Sequence, residues 1–213
     1  MLAKILSGAN VGLDAIPVTC EVDIASSGLP TFTVVGLADR AVEESKDRVR
    51  LAIRNCEADF PARKITVNLA PADLPKEGPA YDLPIAMGVL MASGQIPQTQ
   101  QDLLKTSLFV GELSLDGSLR KTHGILPLAI LAKDKGLKAI FVPKNNAGEA
   151  SIIDGLQVFA LDSLQDLIKF LLGQIELRPQ QKSDINLDIT KIPHHTVRDC
   201  RNGIHQRRIS HQF

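Results

Sequence analysis

The sequence predicts an α/β fold with a mixed, partly parallel sheet and flanking helices. Three observations carry that prediction. Residues 18–24, 31–35 and 65–69 have strand character, with apolar and polar residues alternating or β-branched residues clustering. Residues 38–56 and 83–93 switch to helical spacing or to a continuous apolar run. From residue 124 onward, helix and strand signals follow one another in turn, which favours parallel pairing through right-handed crossovers.

Val18, Cys20, Val22 and Ile24 alternate with Thr19, Glu21 and Asp23, so a strand with one buried face is expected. Gly28 and Pro30 punctuate a turn, and residues 31–35 begin a second strand. Ala38, Ala41, Val42, Ser45, Val49, Ala52, Ile53 and Cys56 recur at three- and four-residue steps, predicting one amphipathic helix over 38–56. Ile65, Val67 and Leu69 restore the strand period. A loop carrying Pro71, Pro75 and Pro79 leads into a helix over 83–93, apolar on nearly every side and therefore expected in the interior. Asp82 is its expected N-cap, and Pro84 is tolerated in the first turn, where its missing N–H has no helical partner. After Gly94 come a polar connection, a strand near 107–110, and a hairpin whose Asp116-Gly117 pair suits a two-residue turn. A helix over 124–135 ends at Gly136, a strand spans 139–142, and a short helix follows Pro143. Residues 156–160 form the last strand, and Ser163 opens a helix closed by Gly173. Val67, Leu69, Ile85, Leu113, Ile130, Ile140 and Val158 are the expected core markers.

With 44% hydrophobic and 23% charged residues, the 213-residue chain has the composition of an ordinary folding unit. Aromatic content is only 4%, with no tryptophan and Tyr81 as the single tyrosine, so stacking platforms for single-stranded nucleic acid are scarce. Past Arg178 the run Pro179, Gln180, Gln181, Lys182 is linker-like and no periodic apolar face returns, which sets the expected domain at 1–178 and a disordered, basic tail at 179–213. The zero net charge hides an asymmetry: residues 182–213 hold six Lys or Arg against three Asp or Glu, with four of the five histidines. A nonspecific nucleic-acid contact is open to that tail. A truncated or frame-shifted gene end and a genuine short tail are both open readings of residues 192–213. Cys20, Cys56 and Cys200 are odd in number and far apart, which argues for a reducing, cytoplasmic location. Residues 1–13 lack a signal peptide's apolar core and no apolar run approaches the ~20 residues of a bilayer span, so no membrane association is expected.

The run Lys76-Glu77-Gly78-Pro79-Ala80 is similar to the segment with which Lon-type peptidases present their serine, a lysine, acidic residue, glycine, proline, serine sequence. Ala80 stands at the nucleophile position, and a methyl group cannot attack a carbonyl. Residues 111–117 followed by Gly124-Ile125 resemble the approach to the Lon lysine, and Leu126 stands where that amine would be. The resemblance implies a Lon-protease-like fold with both halves of the dyad absent.

Further phrases, Gly36-Leu37, Ala41-Val42-Glu43-Glu44-Ser45, the run 65–74 and Asp82-Leu83-Pro84-Ile85-Ala86, resemble in order and spacing the N-terminal domain of the ComM family, also called YifB or magnesium-chelatase-like. The resemblance covers roughly residues 2–180. It implies a domain that precedes an AAA+ ATPase module in a hexameric motor driving DNA branch migration during natural transformation. ATP and magnesium belong to that module, and DNA, further copies of the chain or a full-length relative are the implied partners. No G-x-x-x-x-G-K-[ST] segment occurs in this chain, so no cofactor is expected in it and ATP hydrolysis by it is not expected. The implied role is noncatalytic, in DNA engagement or subunit assembly, within competence and DNA recombination. The alternative is a Lon-type serine peptidase with a relocated nucleophile.

Lys46, Arg50 and Arg54 lie four residues apart on the predicted 38–56 helix and are the candidate nucleic-acid-binding residues, with Arg63 and Lys64 extending the stripe. The competing reading is a solvated face whose later arginines complement the helix C-terminus. His194, His195, Cys200, His205 and His211 are zinc-ligand types without a zinc-ligand spacing, so no metal site is assigned. Glu77 reads as an exposed loop charge, Asp82 as a cap, and His123 has no serine or cysteine partner, so no catalytic residue is assigned.

Overall fold

Leu108, Ile140 and Val158 face one hydrophobic cluster while Phe109, Phe141 and Phe159 face another, and this period of two lets one sheet carry helices on both faces. The computed structural model describes residues 2–182. Its strands are β1 (Leu2–Val11), β2 (Asp14–Ile24), β3 (Thr31–Val35), β4 (Lys64–Ala70), β5 (Ser107–Phe109), β6 (Glu112–Leu113), β7 (Leu119–Arg120), β8 (Ala139–Pro143) and β9 (Gln157–Leu161). Its helices are α1 (Arg40–Glu43), α2 (Ser45–Asn55), α3 (Asp82–Ala92), α4 (Gln101–Lys105), α5 (Ile125–Asp134), α6 (Lys144–Ala150) and α7 (Leu164–Leu171). Seven strands form one sheet in the order β3-β4-β2-β1-β5-β8-β9, and β6 and β7 form a separate hairpin. Pairs β1–β2 and β2–β4 are antiparallel and the other ladders of the large sheet are parallel, giving the mixed sheet expected.

One cluster joins α2, α3 and α7 to the sheet, and the other joins α5 and α6 to β5, β8 and β9. The registers Phe109↔Phe141↔Phe159 align three rings across neighbouring strands, with centroids 4.7 and 4.8 Å apart. Helix α3 is buried around almost its whole circumference, as its unbroken apolar run requires. It reaches the sheet through Gly88, where a Cβ would come within 2.4 Å of Val22 Cγ2.

Several expectations need correction. The helix expected over 38–56 is divided into α1 and α2. Ala38 forms an isolated bridge to Lys76 and the Asp39 N–H donates to the Lys76 carbonyl (3.0 Å), so the first positions belong to a tertiary contact. Asp39 caps α1 by accepting from the Val42 N–H (2.8 Å), and the junction at Glu44 carries a three-residue bond from the Asp47 N–H. Ile130 is 44% exposed because α5 buries Ile125, Leu128, Ala129 and Ala132, and Ile130 projects from the opposite side. Val67, Leu69, Ile85, Leu113, Ile140 and Val158 are buried as expected. The turn at Asp116-Gly117 is a three-residue loop: the Gly117 N–H donates to the Ser114 carbonyl, the Ser114 N–H to the Ser118 carbonyl, and only Gly117 has a positive φ. The polar connection after Gly94 contains α4.

Beyond Arg178, the Gln180 N–H donates to the Val158 carbonyl (2.7 Å) and Lys182 pairs with Asp154, so the chain follows β9 through residue 182. The remainder of the expected 179–213 tail lies outside the described residues. Among the described residues no helix is long and apolar enough to cross a membrane.

Candidate functional site

The site is built where two strands part. Strand β1 pairs with β2 as far as Val11↔Asp14, but with β5 only at Leu6↔Leu108. Past that point the chain leaves β1: the Val110 N–H donates to the Phe141 carbonyl (3.1 Å) and the Gly111 N–H to the Ala80 carbonyl (2.9 Å). A cavity of about 530 Å³ opens in the gap, walled by the end of β1, the loop before α3, and the segments around Glu112 and Thr122.

The loop before α3 is fixed from several directions. Gly78 donates its N–H to Asp39 Oδ2 (3.0 Å), so one carboxylate both caps α1 and holds the loop. Lys76 is completely buried; its ammonium donates to the Pro71 carbonyl, its N–H donates to the Leu37 carbonyl, and burial lowers its pKa. A short 3-10 turn, Pro79–Tyr81, then delivers Ala80 to the cavity wall.

Asp82 does not cap α3. Its carboxylate accepts from Arg48 Nε (2.7 Å), Arg48 Nη2 (3.1 Å) and the Leu113 N–H (3.1 Å), which ties α2, α3 and β6 together in the interior. Arg48 also donates to the Ala41 carbonyl (2.9 Å). Burial pushes the Asp82 carboxyl up to about 6, while Arg48 and the Leu113 N–H oppose that rise. The cap reading fails because the partner lies 34 residues upstream and outcompetes the helix's own N–H groups.

The two dyad positions diverge. Ala80 is half-buried on the cavity wall, whereas Leu126 is half-buried outside the lining, with its N–H donating to Glu149 Oε1 (2.9 Å). No serine or cysteine lines the cavity; its hydroxyls belong to Tyr81 and Thr122. Burial raises the Tyr81 pKa, and the Thr122 hydroxyl has no hydrogen-bond partner among the described residues. Glu77 and His123 are exposed and line the cavity, while Asp82 does not, so Glu77 and Asp82 form no acid–base pair. Thr122 is a site residue that the sequence does not single out; its surrounding polar pattern, Lys121-Thr122-His123, is the available signal.

The nucleic-acid candidates sit on α2, away from the cavity lining. Lys46 donates to Glu43 Oε2 (2.5 Å), Arg50 lies over the Phe60 ring (5.4 Å), and Arg54 is exposed. The first two charges therefore already have intramolecular partners. His194, His195, Cys200, His205 and His211 lie outside the described residues.

A mixed sheet flanked by helices, with an alanine on the wall of a preserved cleft, defines a Lon-like domain without the Lon dyad. Consistent with that class, the chain is 26% identical over 122 residues to Lon protease 2 of Bacillus subtilis, covering 57% of this chain and 21% of that relative. The chain belongs to the family described as subunit ChlI of Mg-chelatase, which matches residues 20–146, more than half of its length. Its ComM and YifB relatives include competence protein ComM of Haemophilus influenzae, 47% identical over 176 residues, covering 83% of this chain and 34% of that protein. YifB of Escherichia coli is 44% identical over 183 residues, covering 86% of this chain and 35% of that protein. The chain thus spans about a third of the length of these two relatives.

Proposed function

We propose that this chain serves as a noncatalytic Lon-like domain of a ComM-type machine that acts on DNA in the cytoplasm, in branch migration during natural transformation, where it contributes DNA engagement or subunit contacts. The observation carrying the noncatalytic reading is the wall of the 530 Å³ cavity, where Ala80 stands at the nucleophile position and no serine or cysteine replaces it. The name of the competence protein from Haemophilus influenzae supports the DNA process. Lys46, Arg50 and Arg54 are the proposed DNA-facing residues, Arg54 being the least committed to intramolecular partners.

ATP and magnesium have no fitting site in this chain. The helix beside the cavity begins at Asp82, whose carboxylate would oppose a phosphate, and no glycine-rich lysine-bearing loop precedes it. A relocated-nucleophile peptidase would need a hydroxyl bonded to a base, and the Thr122 hydroxyl makes no such bond. Incubating the purified chain with β-casein tests the reading. No turnover is expected with or without ATP, and hydrolysis abolished by Thr122→Val would favour the peptidase.

A further inference from the structure

We infer that the cavity beside Ala80 is a docking site for an extended segment of a partner protein, recognised through the free edge of β1. The inference rests on the noncatalytic reading, because the bound segment is held and not cut.

The edge itself is the first observation. Gly8, Ala9, Asn10 and Val11 all line the cavity, yet β1 has no ladder partner on its β5 side beyond Leu6. Alternate N–H and C=O groups there lack strand partners over a length of about 10–13 Å, at the rise of an extended chain. Another extended backbone matches that donor and acceptor pattern, as in β-strand addition to an open sheet edge.

The second observation is Thr122. The residue is 6% exposed and lines the same cavity, and its hydroxyl is buried without a hydrogen-bond partner among the described residues. A buried hydroxyl left unpaired is costly, and a peptide carbonyl or N–H laid beside it would satisfy it. The third observation is the character of the walls. Leu74, Pro75, Ala80 and Leu128 give apolar surface for side chains, while Glu77 and Glu112 oppose Lys121 and His123 in charge. Walls carrying both signs suit a neutral backbone and disfavour a polyanion, which would meet both glutamates.

Fluorescence anisotropy on the full chain tests this, using fluorescein-labelled decapeptides and reduced, carboxymethylated α-lactalbumin as a permanently unfolded probe. Saturable binding is expected, weakened about tenfold or more by Ala80→Trp, which fills the cavity, and measurably by Thr122→Val, which removes only the hydroxyl. Hydrogen exchange should slow at residues 8–11 and 78–81 when a probe is bound. Binding unchanged by both variants, protection confined to another strand edge, or no binding at millimolar probe would overturn the inference. Protection of residues 8–11 that depends on protein concentration without probe would assign the edge to a second copy, and equal protection by an oligonucleotide would assign it to nucleic acid; either also overturns it. Cleavage of a bound probe would overturn the noncatalytic reading while leaving the docking site, so the two failures are distinguishable.

Discussion

Arg48 is the residue on which the interior depends most, because it faces a carboxylate that has no contact with water. Replacing it as Arg48→Met leaves Asp82 buried with only the Leu113 N–H, and equilibrium urea unfolding should show a loss of about 3 kcal/mol. The pH dependence has a definite sign. Asp82 has a folded pKa of about 6, above its ordinary 3.8, so the folded state binds this proton more tightly than the unfolded state. Its contribution is fully present below about pH 4 and is lost as pH rises through about 6. Arg48→Met removes the opposing charge and raises that pKa further. The variant's urea midpoint should therefore keep falling between about pH 6 and 8, where the parent's contribution has levelled off; a parallel profile would remove Asp82 as the cause. The sequence makes an acidic residue at a helix start legible, but not the arginine 34 positions away that claims it. Ala80 is legible for the opposite reason, since its meaning lies in contiguous neighbours.

At the scale of elements, α3 is the most legible because a continuous apolar run can satisfy its surroundings only in the interior. Strand β1 is hidden from periodicity, since its buried positions include Ser7, Gly8 and Ala9, which carry little apolar contrast. The close approach of α3 to β2 through Gly88 gives a prediction. Gly88→Ala would drive a methyl into Val22, and the overpacking, about 1–3 kcal/mol, should outweigh the gain in helix propensity and lower Tm by several degrees. Calorimetry showing a raised Tm would mean that the interface yields easily. For α2, replacing Lys46, Arg50 and Arg54 together by Gln should flatten the salt dependence of binding to a DNA duplex, because a protein that neutralises fewer phosphates releases fewer counterions. Since Lys46 is paired with Glu43 and Arg50 stacks on Phe60, Arg54→Gln alone should account for most of the change; an unaltered salt slope in the triple variant would reduce the stripe to a solvated face.

For the whole molecule, the order β3-β4-β2-β1-β5-β8-β9 places the cleft at the centre of the sheet, where β1 and β5 share a single pairing and then separate. Periodicity reveals the strands and helices but not this parting, because it depends on the Gly111 N–H finding the Ala80 carbonyl in place of a strand partner. The Lon-like cleft is thus preserved as a shape, with its nucleophile position at Ala80 and its lysine position, Leu126, outside the lining. The most direct measurement is intact-protein mass spectrometry of the full chain after prolonged exposure to a fluorophosphonate that labels activated serine and threonine nucleophiles. The account predicts an unmodified mass; an adduct mapped to Thr122, or to any other residue of the cavity, would contradict it.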